Sequence, residues 1–206
     1  MAKNLKVMFD IDGVLADFVL GFTDRACLKY GTPAERTVEH KVWDLFPGLD
    51  KKMIDAIWRD LEKDDSHFWD SLEKLPSLVE EQYLWHLCGR DGVEVYFVTN
   101  RHTRTAHDQT QRWLATTFGI PGANVICVGA QSKGNMAKAL EADFAIDDKL
   151  GNAVYMYYES PKTKVYLLER PYNAVGPEMI GRGVVRVPTL TPFLADIEDE
   201  WQRRQK

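Results

Sequence analysis

Short apolar runs recur along the whole chain, and their spacing limits the fold more than any other feature. Leu5 to Phe9, Val93 to Val98, Val125 to Val128, Phe144 to Ile146, Val165 to Leu168 and Val184 to Val187 are rich in Val, Ile, Phe and Tyr. Most are bounded by Gly, Asp, Asn or Pro. Such runs read as strands buried on both faces, as in a parallel sheet. Apolar residues at helical spacing lie between them: Leu15, Phe18, Val19, Phe22 and Ala26; Met53, Ile54, Ile57, Trp58 and Leu61; Leu78, Val79, Tyr83 and Leu87. Stretches from Thr103 to Phe118, Lys133 to Leu140 and Leu190 to Trp201 complete the helical set. Strand–helix alternation predicts an α/β fold with a mainly parallel sheet.

One interval breaks the alternation. Between Gly31 and Leu75 no strand pattern occurs, and the stretch is rich in aromatic and charged residues, among them Trp43, Phe46, Trp58, Phe68 and Trp69. It falls between the first two strands and reads as a small helical cap, with Pro33, Pro47-Gly48 and Pro76 as turns or boundaries. The expected organisation is a core of residues 1–17 and 76–206 and a cap of residues 18–75. With 206 residues, 45% of them apolar, the chain is long enough to bury a core. Its net charge of -5 argues against a duplex-DNA binder, which carries a basic face, but leaves room for a local phosphate pocket. Cys27, Cys88 and Cys127 lie far apart, which supports neither a disulfide framework nor a zinc site. His102 and His107 are five residues apart, and His40, His67 and His86 are isolated, so none reads as a metal ligand. No run is apolar enough to span a membrane, and the amino terminus lacks the pattern of a signal peptide. A cytoplasmic location is the expectation.

In α/β sheets ligands bind outside the carboxyl ends of the strands. Asp10, Asp12 and Gly13 follow the first run; Thr99, Asn100 and Arg101 the second; Asp147 and Asp148 the fourth; and Ser132-Lys133-Gly134 precedes a helix. Taken singly, Asp148 could be a helix cap, Lys133 a solvated surface lysine and Thr99-Asn100 a loop. Taken together, they form one acidic edge with a hydroxyl and a lysine. Crowded carboxylates raise one another's pKa unless a cation is present, and an all-oxygen set suits a hard ion such as Mg²⁺. A carboxylate can attack phosphorus and give an acyl phosphate. Asp10 would then be the nucleophile. Asp12 would protonate the leaving alkoxide and later deprotonate the hydrolytic water. Lys133 and Mg²⁺ could neutralise the phosphate, and Thr99 and backbone N–H groups could hydrogen-bond it.

These residues resemble the four motifs of the haloacid dehalogenase-like superfamily: Phe9-Asp10-Ile11-Asp12-Gly13-Val14, Val98-Thr99-Asn100, Lys133 and Ile146-Asp147-Asp148. The resemblance implies a Rossmann-like core, an aspartyl-phosphate intermediate, and Mg²⁺ held by Asp10, the backbone carbonyl of Asp12 and Asp147, with Asp148 as a ligand or a ligand's partner. Asp at position 12 favours a phosphatase over a dehalogenase.

The opening Asp10 to Phe18 and the stretch Phe68-Trp69-Asp70-Ser71-Leu72-Glu73-Lys74-Leu75-Pro76 are similar to the 5′(3′)-deoxyribonucleotidase family. That resemblance implies a nucleoside monophosphate substrate whose base stacks on aromatic residues. Phe18 matches one such position, and Trp43 and Phe46 are looser candidates; the alternative for each is packing of cap on core. The family usually carries Ser-Pro after the motif-two Thr, whereas this chain has Asn100-Arg101. Asn100 can still offer its backbone N–H to phosphate, and Arg101 could grip a second phosphate or a sugar hydroxyl. The expected partner is therefore a small-molecule nucleotide, with no duplex nucleic acid and no membrane; a homodimer stays open. The alternatives are a phosphatase for a phosphosugar or a nucleic-acid end, and a non-catalytic phosphate-binding module.

Overall fold

A computed structural model describes residues 3–31, 48–63, 67–129, 132–174 and 183–206. Trp43, Phe46 and His40 lie outside the described residues. The described strands are β1 (Leu5–Phe9), β2 (Val93–Thr99), β3 (Asn124–Cys127), β4 (Phe144–Asp147), β5 (Lys164–Leu168) and β6 (Val184–Val187). They form one parallel sheet in the order β3-β2-β1-β4-β5-β6. The chain starts at the middle of the sheet, builds outward through β2 and β3, and crosses back to lay β4 on the other flank of β1. All strand carboxyl ends therefore share one edge, and a crevice opens between β1 and β4 where the order reverses.

Alternate residues of the central strands enter two different cores. Leu5, Val7, Phe9, Phe144, Ile146, Tyr166 and Leu168 pack on one face of the sheet. There they meet Leu84 and Leu87 of α3 (Leu78–Cys88), Trp113 and Leu114 of α4 (Ala106–Phe118), and Phe193 and Ile197 of α7 (Thr191–Arg204). Met8, Ala145, Val165 and Leu167 face the other way, toward Ala137 of α5 (Lys133–Leu140) and Ala153 and Met156 of α6 (Leu150–Glu159). The second layer is built on small residues, which lets α5 and α6 lie close to each other. A Cβ at Gly134 would sit 2.6 Å from a ring carbon of Tyr155 and 2.8 Å from its carbonyl oxygen.

Helices α1 (Phe18–Tyr30) and α2 (Lys51–Leu61) fall within the stretch expected to form the cap. Asp17 caps α1 by accepting from the Leu20 amide at 2.9 Å. Phe18 and Phe22 of α1 pack against Trp58 of α2 with ring centroids 5.4 Å apart in each pair. The chain enters and leaves this helical pair side by side, for Asp17 N donates to Glu73 O and Leu75 N to Leu15 O, both at 2.8 Å.

Two patterns differ from the sequence reading. On α3, Leu78 and Val79 are exposed, and the buried stripe is Glu80, Leu84 and Leu87. Ser77 and Glu80 close a capping box that fixes the phase of the first turn, and the second Glu80 oxygen accepts from Thr191 N at 3.1 Å. The helix α6 lacks an apolar stripe in sequence, because its aromatic residues are spread around the axis: only Ala153 and Met156 are buried. No helix among the described residues is long and apolar enough to cross a membrane.

Candidate active site

Strand register brings the acidic residues together. Phe9 pairs with Ile146 across β1 and β4, so their successors Asp10 and Asp147 stand side by side. Asp10 N donates to Ile146 O at 3.0 Å, continuing the ladder one step past the strand. Lys133, the first residue of α5, lies between the two carboxylates. Its Nζ is 2.6 Å from Asp10 Oδ1 and 2.7 Å from Asp147 Oδ2, with the lysine 2% exposed. Asp10 Oδ1 also accepts from the Ile11 amide at 2.7 Å. Both donors fall on Oδ1.

Asp148 completes the cluster. One carboxylate oxygen from each of Asp10, Asp147 and Asp148 lies within 4.8 Å of the others, and all three residues are buried. Asp148 Oδ2 accepts from the Tyr172 hydroxyl, whereas Asp148 Oδ1 is buried with no hydrogen-bond partner among the described residues. Burial pushes the Asp10 carboxyl well above the usual carboxylate range; Lys133 opposes this, and the charges of Asp147, Asp148 and Asp12 add to it. Burial and the Asp147 charge push Asp148 up to about 6, against the Tyr172 hydrogen bond, Lys133 and Lys149. Burial alone would lower the Lys133 ammonium, but Asp10 and Asp147 more than reverse it and hold the group raised. Three carboxylates thus face one ammonium, and the buried Asp148 Oδ1 has no donor among the described residues. A hard divalent cation fits such a set in charge and in ligand chemistry.

Further residues hold the cluster in place. Asn152 Nδ2 donates to both oxygens of Asp147, at 3.1 and 3.2 Å, and Lys149 N donates to Asp147 Oδ1 at 2.8 Å. After β5, a 3-10 turn at Pro171–Asn173 brings in Tyr172, while Asn173 Nδ2 donates at 2.7 Å to the carbonyls of Asp148 and Leu168. Arg170 Nε donates to Gly13 O at 2.6 Å. Gly13 has φ +81°, and a Cβ there would lie 2.0 Å from Asp148 Oδ2. Only glycine lets the loop after β1 turn this way so close to Asp148.

Asp12 lies on the cavity side of this loop. Its carboxylate accepts from Thr99 Oγ1 at 3.2 Å and from the Arg101 fork: Nη2 to Oδ1 at 2.7 Å and Nε to Oδ2 at 3.0 Å. Asp10, Asp12, Asn100, Arg101 and Lys133 line one cavity with Phe18, Trp58, Trp69, His102, Lys149 and Asn152. The Phe18 ring stacks on both Trp58 and Trp69, with interplanar angles of 21° and 19°. The structure thus brings Asp10, Asp12, Phe18, Thr99, Asn100, Arg101, Lys133, Asp147 and Asp148 to the rim of one crevice. Asn152, Tyr172, Asn173 and Arg170 were missed by the sequence reading. The three from the loop after β5 stand at a strand's carboxyl end, the same signal that marked the others.

Comparison with known proteins fits this geometry. The family described as 5′ nucleotidase, deoxy (pyrimidine), cytosolic type C protein matches residues 3–175. No curated protein sequence matches significantly. Among solved structures, a HAD family hydrolase from Deinococcus radiodurans R1, with bound phosphate and sodium, is 15% identical, with a TM-score of 0.58 over 96% of this chain and 98% of that one. The D,D-heptose 1,7-bisphosphate phosphatase from B. bronchiseptica, complexed with magnesium and phosphate, is 14% identical, with a TM-score of 0.52 over 95% and 99%. The L-2-haloacid dehalogenase from Xanthobacter autotrophicus, with chloropropionic acid covalently bound, is 14% identical, with a TM-score of 0.59 over 96% and 99%. At such identities these structures share the fold, and the family match supplies the class of chemistry. The chain belongs to the cytosolic type C 5′-nucleotidase, deoxy (pyrimidine) family and is a phosphohydrolase.

Proposed function

We propose that the protein is a Mg²⁺-dependent phosphomonoesterase for nucleoside monophosphates, with deoxyribonucleoside 5′- or 3′-monophosphates as substrates. The observation that carries this reading is the buried cluster of Asp10, Asp147 and Asp148 around Lys133, with Asp148 Oδ1 unpartnered among the described residues. Asp10, Asp147 and Asp148, with the Asp12 carbonyl, would hold the ion. When bound, it offsets the carboxylate charge and draws electron density from the phosphate oxygens.

Asp10 Oδ2 attacks phosphorus as the bond to the leaving oxygen breaks, and Asp12 gives that oxygen its proton. The Asp12 carboxylate then takes a proton from water as the water oxygen attacks phosphorus. The acyl–phosphate bond breaks, which releases phosphate and restores Asp10. Lys133 keeps its proton throughout and balances charge on Asp10 and the phosphoryl group. Thr99 and the backbone at Asn100 orient the phosphate oxygens.

Aromatic residues line the cavity beside this polar end, and Trp58, the part-exposed ring of the three, offers a surface that suits a nucleobase, with the buried Phe18 and Trp69 packed behind it; the family's name supports a pyrimidine deoxyribonucleotide. Residues 18–75 act as a cap over the bound nucleotide. Three free cysteines and the family's cytosolic description support a cytoplasmic location. The test is phosphate release from deoxyribonucleotides, ribonucleotides and sugar phosphates, with Mg²⁺ and with EDTA. Deoxyribonucleotides should be hydrolysed fastest, Mg²⁺ should be required and Asp10→Asn should release none. Equal turnover of sugar phosphates would overturn the substrate, and an active Asp10→Asn protein the covalent step.

A further inference from the structure

We propose that Arg101 is the positioning residue of the acid/base, a guanidinium clamp that aims the Asp12 carboxylate. The inference rests on the assignment of Asp12 as acid/base above. The Arg101 side chain is fully buried, and its charge is committed inside the protein. The Nε–Nη2 edge lies along the Asp12 carboxylate and meets both oxygens, which fixes the plane of the carboxyl group as well as its place.

The remaining nitrogen, Nη1, donates to Thr110 Oγ1 at 2.9 Å and to the Trp69 carbonyl at 3.4 Å. The guanidinium carbon stands 4.8 Å from the centre of the Trp69 ring. Trp69 is in turn tied to α4, for its backbone N–H donates to Gln109 Oε1 at 3.1 Å. A rigid planar group held on three sides thus faces a carboxylate on a short loop. The fork cannot be reproduced by an ammonium, which offers a point charge on a flexible stem.

Leaving-group dependence separates positioning from mere support. p-Nitrophenolate departs without a proton, whereas the alkoxide of a nucleotide needs one, so loss of aim at Asp12 slows the nucleotide more. The comparison is made in kcat/KM, which ends at departure of the leaving group and so leaves out the later water attack that Asp12 serves for both substrates. In Arg101→Met we expect kcat/KM on a deoxyribonucleoside monophosphate to fall about 100-fold, the low end of a general acid's contribution. On p-nitrophenyl phosphate we expect a loss of only a few-fold, with Mg²⁺ present throughout. Arg101→Lys keeps the charge without the fork and should show the same skew in smaller measure, which keeps the test open if the methionine variant fails to fold. In the double variant Asp12→Asn/Arg101→Met the second substitution should cost nothing further, because Arg101 acts through Asp12. Equal losses on both substrates, or additive losses in the double variant, would overturn the proposal. If Asp12→Asn itself shows no skew, the acid/base assignment falls and the clamp with it. If Asp12→Asn skews and neither Arg101 variant does, the clamp alone is wrong.

Discussion

Replacing Lys133 by methionine removes the ammonium between Asp10 and Asp147 while keeping most of the side-chain volume. That ammonium stands 2.6 Å from the first carboxylate and 2.7 Å from the second, in a site where lysine and both aspartates are buried. Removing one partner of a buried ion pair costs about 3–5 kcal/mol, because the charge left behind has no water to turn to. Asp10 limits the loss, since its carboxyl is already held well above the usual range and can take up a proton. The expected loss is therefore about 3 kcal/mol, which for a chain of this size is about 6–12 °C in Tm. Urea unfolding followed by far-UV circular dichroism, in EDTA, measures it. Lys138→Met on the same helix is the control: its side chain is 66% exposed and lies 3.7 Å from Glu159, so the change should stay within about 0.5 kcal/mol. Adding Asp147→Asn to Lys133→Met should recover part of the loss, because it removes a carboxylate the lysine had balanced. A Lys133→Met protein as stable as the Lys138→Met control would refute the view that these carboxylates depend on that ammonium.

Two further outcomes follow from packing and from charge. Gly134→Ala drives a Cβ into Tyr155 at 2.6 and 2.8 Å, against a ring carbon and a backbone oxygen, and should lose about 1–3 kcal/mol despite alanine's better helix propensity; Gly151→Ala, with open space around it, should lose nothing in the same unfolding assay. Burial raises the Glu198 carboxyl, but hydrogen bonds from Tyr83, Arg90 and Gln202 outweigh it and hold the group down at about 2, against an ordinary 4.5. The folded protein thus binds this proton less tightly than the unfolded chain, so the contribution is present above pH 4.5 and is lost as pH falls toward 2. Wild type should be more stable than Glu198→Gln at pH 6, and the two should converge through that window; a constant difference would sink the assignment.

The sheet was legible because its strands are buried on both faces: each apolar run lies within one residue of the strand it predicts, as with Val93–Thr99 and Phe144–Asp147. The helix α5 spans the same Lys133–Leu140 stretch that the sequence marked out. The first turn of α3 was misread, since a capping box rather than apolar content sets its phase. The helix α6 escaped because its partner face is lined by alanines, and a shallow groove asks only for Ala153 and Met156. At the site, the residues at strand ends could be found by position in the chain. Asn152 could not, because its role depends on how α6 turns a side chain back toward Asp147. Nor could the course of Arg101 be read: a charged residue after a strand suggests a ligand for substrate, and only the fold shows Asp12, Thr110 and Trp69 converging on it.

Asp148 tests whether this cluster is built for stability or for binding a cation. Its Oδ1 is buried without a donor among the described residues, and burial together with Asp147 holds its carboxyl at about 6, above the ordinary 3.8. A group whose folded pKa is raised is easier to ionise in the unfolded chain, so above pH 6 it works against folding. A shift of about two units corresponds to on the order of 2–3 kcal/mol. Asp148→Asn keeps the shape and an acceptor for Tyr172, and it removes that charge. In EDTA at pH 8 the variant should therefore be more stable than wild type by on the order of 2 kcal/mol. Mg²⁺ should reverse the order. At 100 times its Kd a bound ion adds about 2.7 kcal/mol to wild type, and Asp148→Asn should lose most of that gain. If Asp148→Asn is less stable than wild type in EDTA, the charge is already satisfied by the protein, and the case for a cation among these carboxylates fails with it.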